Sequence, residues 1–165
     1  MRRQTICSAL STLALTALLA LPTATALAAQ GDSPAGSVKS ISGEAQVARD
    51  GAAPAALKPG DRIFEKDVLT TGPGGSVGLV MRDNSTLSLG PGSRLVVERF
   101  LFAPEKNALN ALLRLKKGSL ACSTGEMAKL SPESMQFLAT GYALGIRGTH
   151  FLMHVEDGPE SGEGR

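Results

Sequence analysis

The chain has 165 residues, with 17 Lys and Arg against 15 Asp and Glu, two Cys, one Tyr and no Trp. Two cysteines exclude a disulfide-dense scaffold, and the shortage of Trp and Tyr argues against a sugar-stacking platform. No basic patch or stripe of the kind a nucleic-acid footprint needs is present.

The first segment reads as an export signal. Arg2 and Arg3 form a positive start, ALSTLALTALLALP an apolar run, and Ala26-Leu27-Ala28 a small-x-small cleavage site. A secretory signal peptide is expected over residues 1–28. The apolar run is short for a bilayer crossing, and no second one follows, so no membrane span is expected after cleavage. Removing Arg2 and Arg3 with the leader leaves 15 basic and 15 acidic groups on Ala29–Arg165. The remaining length suits one domain with its own core. Cys7 leaves with the leader, and Cys122 is read as a small buried hydrophobe.

The rest reads as short strands between turns. SVKSI and EAQVAR flank Ser42-Gly43, which predicts a hairpin. A Pro/Gly loop, DGAAPAALKPGD, follows. IFEKDVLTTG reads as one extended stretch ending in GPGG. SVGLVMRD puts Val77, Leu79 and Met81 on one face; NSTLSLG does so for Leu87 and Leu89, and SRLVVERFLF for Leu95 and Val97. Asp83-Asn84 and Pro91-Gly92 mark the turns between these runs. Strands recurring about every ten residues predict an all-β fold, a single antiparallel sandwich or roll. The stretch PEKNALNALLRLKKGSLACS fits either a helix carrying Leu109, Leu112, Leu113 and Leu115 or a strand pair broken at Gly118; the alternation favours strand. Ser131-Pro132-Glu133 fits one helical turn. HFLMHVE is the last strand. The polar tail, residues 157–165, is expected to be disordered. GPG recurs at 72–74 and 90–92, which reads as repeated turn chemistry and not as a sequence repeat.

Catalytic and metal constellations do not emerge. His150 and His154 on a strand lie roughly 13 Å apart at about 3.3 Å per residue, too far to share one ion. No G-x-S-x-G stands for a serine elbow, and Cys122 has no neighbouring histidine in sequence. Asp61, Glu65 and Asp67 surround a turn and read as a solvated loop. GPGG lacks the G-K-[ST] ending of a phosphate loop. No catalytic residue, metal or cofactor is expected, and the chain reads as a non-enzyme.

GIRGTHF, Gly145 to Phe151, lacks the spacing of a dinucleotide fingerprint. Gly145 and Gly148 permit backbone angles that a side chain forbids. Ile146 between them can bury, Arg147 can fork onto a carboxylate or onto loop carbonyls, and Thr149 opens the next strand. These five residues are expected to form a structural latch; a partner-contacting arginine is the alternative reading.

Taken together, GEAQVARDG, LKPGDRIFEKDVLTTGPGGSVGLVMRDNSTLSLGPGSRLVV, RLKKGSLA and GIRGTHFLMHVE resemble the FecR domain family, over residues 37–156. The D-x-L-x-T-G step at Asp67–Gly72, the DNSTLSLG hairpin and the G-I-R-G-T-x-F block, in this order, carry the resemblance. It makes Asp67, Thr70, Gly72 and Asp83 the family-type turn residues. It implies an all-β periplasmic domain. The best-known members receive a signal from an outer-membrane transducer and control a sigma factor across the inner membrane, while others are stand-alone secreted proteins.

This sequence departs from the regulator pattern. It shows no sigma-binding segment and no membrane helix, Ala139-Thr140-Gly141 stands where the family usually has Thr-Pro, and the sequence ends soon after Glu156. The expectation is a non-enzymatic FecR-like module, periplasmic or secreted from a Gram-negative-type cell. It would bind an envelope protein such as a membrane sensor or transducer, through its first or last strand edge. The alternative is a module for cell-envelope carbohydrate or peptidoglycan.

Overall fold

A computed structural model of the chain describes residues 33–49, 51–139, 142–145 and 150–156. The predicted leader and tail lie outside these residues. The described strands are β1 (Gly36–Ser42), β2 (Ala45–Ala48), β3 (Ala55–Ala56), β4 (Arg62–Ile63), β5 (Val68–Thr71) and β6 (Ser76–Met81). They continue with β7 (Thr86–Leu89), β8 (Arg94–Ala103), β9 (Ala108–Ser123), β10 (Met135–Ala139), β11 (Tyr142–Gly145) and β12 (His150–Val155). The fold is all-β, as the alternation predicts. Period-two patterning holds strand by strand: Val77, Leu79 and Met81 are buried on β6, and Leu87 and Leu89 on β7.

One sheet curls into two layers that share β9. The first layer runs β4-β1-β6-β7-β9-β12, using the C-terminal part of β9. The second runs β3-β2-β5-β8-β9-β10-β11, using the N-terminal part. All pairings are antiparallel except β9 with β10. A register shift between Val97 and Arg99 on β8 moves the buried side from Val97 to Phe100, so the strand keeps feeding the core after the bulge.

The chain passes between layers repeatedly at one end. It crosses at Gly43-Glu44 from β1 to β2, at 72–75 from β5 to β6, at 90–93 from β7 to β8, and within β9 at Gly118-Ser119. These crossings are stitched into a seam by hydrogen bonds. Gly72 N donates to Glu44 O at 2.9 Å and Gly92 N to Gly72 O at 2.9 Å. Gly90 N donates to Ser119 O at 2.9 Å. Thr71 and Ser93 add side-chain bonds: Thr71 Oγ1 donates to Gly90 O at 2.7 Å and accepts from Ser93 N at 2.8 Å. Ser93 Oγ accepts from Ser119 N at 2.9 Å and donates to Ser119 O at 3.1 Å. Gly118 has φ +85°, and a Cβ there would stand 2.2 Å from Ser93 Oγ, so only glycine lets β9 bend through the seam.

Two expectations change. Gly43 does not close a hairpin: β1 and β2 lie in different layers, and Gly43 at φ 68° makes the crossing. Pro91-Gly92 is the expected turn, and it too joins two layers. IFEKDVLTTG is not one extended stretch, because Lys66 at φ 66° breaks it between β4 and β5. The ambiguous leucine segment is a single 16-residue strand, β9. A helix the patterning did not signal, α1 (Glu126–Leu130), makes the crossover that the parallel β9–β10 pair demands. Its Met127 is fully buried in the core. Residues 132–134 form the expected helical turn.

Candidate functional site

Of the family-type turn residues, Asp67 and Asp83 are buried and bonded within the fold, Gly72 is half-buried and Thr70 is exposed. Asp67 is 1 % exposed. Its Oδ2 accepts from Phe64 N at 2.9 Å, pinning the turn before β5. Arg49 Nε donates to both carboxylate oxygens, at 3.0 and 3.2 Å, while its Nη2 donates to Arg62 O at 2.6 Å. The same guanidinium lies 4.9 Å from the centre of the Phe64 ring. Asp67 thus ties β2, β4 and β5 together. The other carboxylates expected near it serve separate backbone groups. Asp61 Oδ2 accepts from Lys58 N at 2.8 Å and Glu65 Oε1 from Phe100 N at 2.7 Å. Among the described residues no group of three or more His, Cys, Asp or Glu could hold a metal ion.

Within D-x-L-x-T-G the threonine that matters to the fold is Thr71, on the seam; Thr70 points to solvent. Gly72 donates its N–H across the seam, with Glu44 packed beside it. Asp83 is completely buried at the β6–β7 turn. Its Oδ1 accepts from Ser85 N at 3.1 Å and its Oδ2 from Ser85 Oγ at 2.6 Å. Ser85 Oγ in turn accepts from Gly125 N at 2.8 Å, and Asp83 O accepts from Glu126 N at 2.7 Å. The turn therefore fixes where α1 begins. A Cβ on Gly125 would lie 2.0 Å from Asp83 O, so the approach needs glycine.

Cys122 is buried between β7 and β12. Burial, and then the Asp83 carboxylate, push its thiol up to about 12, which keeps it neutral and non-nucleophilic near pH 7. His150 and His154 are exposed on β12, and His154 Nδ1 meets Ser119 Oγ at 3.1 Å.

The latch is only partly in view. Ile146, Arg147, Gly148 and Thr149 lie outside the described residues. Gly145 ends β11 opposite Gln136, without a positive φ, and a Cβ there would meet nothing within 4 Å. Its backbone does not require glycine.

What the sequence did not signal is where apolar side chains reach solvent. Leu144 sits opposite Phe137 and Tyr142 opposite Ala139, so both continue the core-facing side of β10. Phe137 is 1 % exposed, but Leu144 is 45 % and Tyr142 79 % exposed, because β11 carries that face beyond the core. On the other layer, Leu152 in the middle of β12 is 75 % exposed. It borders a shallow concavity of about 440 Å³ lined by Thr86, Ser88, Ala121, Ser123 and His150. Alternation alone marks Leu152 as outward-facing, but nothing local shows that β11 outruns the core.

The family model for FecR protein matches residues 67–162, more than half of the chain. The chain belongs to the FecR family, a family of envelope signalling. The match opens on Asp67 and takes in Thr71, Gly72, Asp83 and both outer strands. No curated protein and no solved structure shows a significant match. Among the described residues no helix is long and apolar enough to cross a membrane.

Proposed function

We propose that the chain is a non-enzymatic binding module of the cell envelope, exported by its leader to the periplasm or beyond, that recognises a protein partner in signalling. The observation that carries this reading is the uncovered apolar face of β11. Tyr142 and Leu144 are core-type side chains that no described element covers, and an amphipathic ring beside an aliphatic side chain is the composition of a protein-binding hot spot. The buried polar residues of the family signature build the frame, which leaves the outer strands for recognition. A membrane sensor or transducer is the class of partner that family membership favours.

Affinity capture from envelope extract tests this. The native chain is expected to recover one specific membrane protein. The double variant Tyr142→Ala/Leu144→Asp should recover at least tenfold less while keeping the native melting temperature. Retention on purified peptidoglycan, abolished by soluble glycan, would sink the reading and favour a carbohydrate module that stacks sugar on Tyr142.

A further inference from the structure

β12 is the outermost described strand of the first layer. It pairs with β9 along its whole length, from His150 opposite Ser123 to Val155 opposite Gly118. Among the described residues no strand pairs with its other edge. Native edge strands are blunted by lysine, proline, a bulge or extreme shortness. β12 has six residues, an unbroken register, no lysine or proline, and Leu152 exposed at its middle.

We propose that a second copy of this chain adds to this edge, the two β12 strands pairing antiparallel about a two-fold axis through Met153 to make one continuous sheet. A two-fold interface requires that if residue i meets residue j, then j meets i. The stretch 150–156 satisfies that requirement with chemistry that matches. Centred on Met153, the register sets His150 opposite Glu156 of the second copy and Leu152 opposite its His154. On the inward side Phe151 faces Val155 and Met153 faces its own equivalent. His150, His154 and Glu156 are all exposed. An imidazole N–H donates to a carboxylate whether or not the ring is charged, so both ends of the pairing close on a hydrogen bond.

Neighbouring registers are worse. A slip of one residue sets outward side chains against inward ones. Centring on Leu152 places His150 opposite His154, so two rings that repel when protonated replace the two histidine–carboxylate pairs. Charge complementarity thus selects both the occupant and the register. The pairing stands apart from the partner reading above, which rests on β11 and a different variant.

Sedimentation of the purified protein over a concentration series is the test. A concentration-dependent dimer is expected. Leu152→Lys should raise its Kd at least tenfold at an unchanged melting temperature, since the position is exposed and lysine blunts strand edges. The double variant L152C/H154C should oxidise to a covalent dimer, with peptide mapping joining position 152 of one copy to position 154 of the other. A monomer at every concentration, or a dimer indifferent to Leu152→Lys, overturns the pairing. A 152-to-152 linkage overturns the Met153 register.

Discussion

The seam and the outer strands solve opposite problems. At the seam and at the turns before β5 and β7, buried polar side chains are bonded: Thr71 with Ser93 and Gly90, Ser93 with Ser119, Asp83 with Ser85, Asp67 with Arg49 and Phe64. On β11 and β12 the reverse holds, with Tyr142, Leu144 and Leu152 in water. A buried polar group is tolerated only when bonded, so the first region admits few alternative sequences. An exposed apolar side chain costs the isolated fold little, so the second region is free to serve recognition. Asp67, Thr71, Gly72 and Asp83 of the family signature fall in the first region and are therefore marks of the fold, not of a partner.

The largest effect that would test this contrast is at Asp83. Asp83→Ala removes the acceptor for both Ser85 N–H and Ser85 O–H in a site without solvent. The loss is expected to be about 3 kcal/mol, or a fall of roughly 10 °C in melting temperature by calorimetry. Asp83→Asn keeps one acceptor oxygen and should lose about half as much. If either variant melts like the native chain, the buried turn is not what holds α1 against the sheet.

A smaller effect is expected at Asp67. Asp67→Ala frees Phe64 N–H and leaves Arg49 to return to water, which its half-exposed side chain does easily. A loss of about 2 kcal/mol is expected in denaturant titration. Arg49→Ala leaves the carboxylate buried with Phe64 N–H still bonded, and should cost less. The opposite order would show that the ion pair, not the backbone pin, holds β4 to β5.

Much of the frame is readable in the sequence because its causes are local. Alternation alone finds the buried sides of β6 and β7, and Asp-Asn-Ser announces a turn that a carboxylate can close. Which strands pair is not local. Gly43 and Pro91-Gly92 look like hairpin turns, but the chain uses them to change layers, and only the seam partners reveal that. Arg49 could not be matched to Asp67 from the sequence, since their contact spans two loops. The bulge that returns Phe100 to the core and the helix α1 depend on packing between layers. Thr70 and Thr71 are indistinguishable until one is seen to face Ser93. The open face of β11 is the least legible feature, because exposure there depends on where the core stops.

The smallest effect lies between the two regions, at Cys122, which feels the Asp83 charge and sits between β7 and β12. Its thiol is pushed from 9.0 to about 12 by burial first and the Asp83 charge second. The folded state therefore holds this proton more tightly than the unfolded chain. The stability tied to it is fully present below pH 9 and is lost as pH rises from about 9 through about 12. Between pH 8 and pH 10 the expected loss is about 1 kcal/mol. Chemical denaturation of the native chain and of Cys122→Ala at both pH values isolates it, since the two chains differ only at that side chain. A steeper decline in the native chain is expected. Equal slopes would mean that water reaches the thiol, and hence that β12 opens from β9 readily enough to belong with the outer strands and not with the frame.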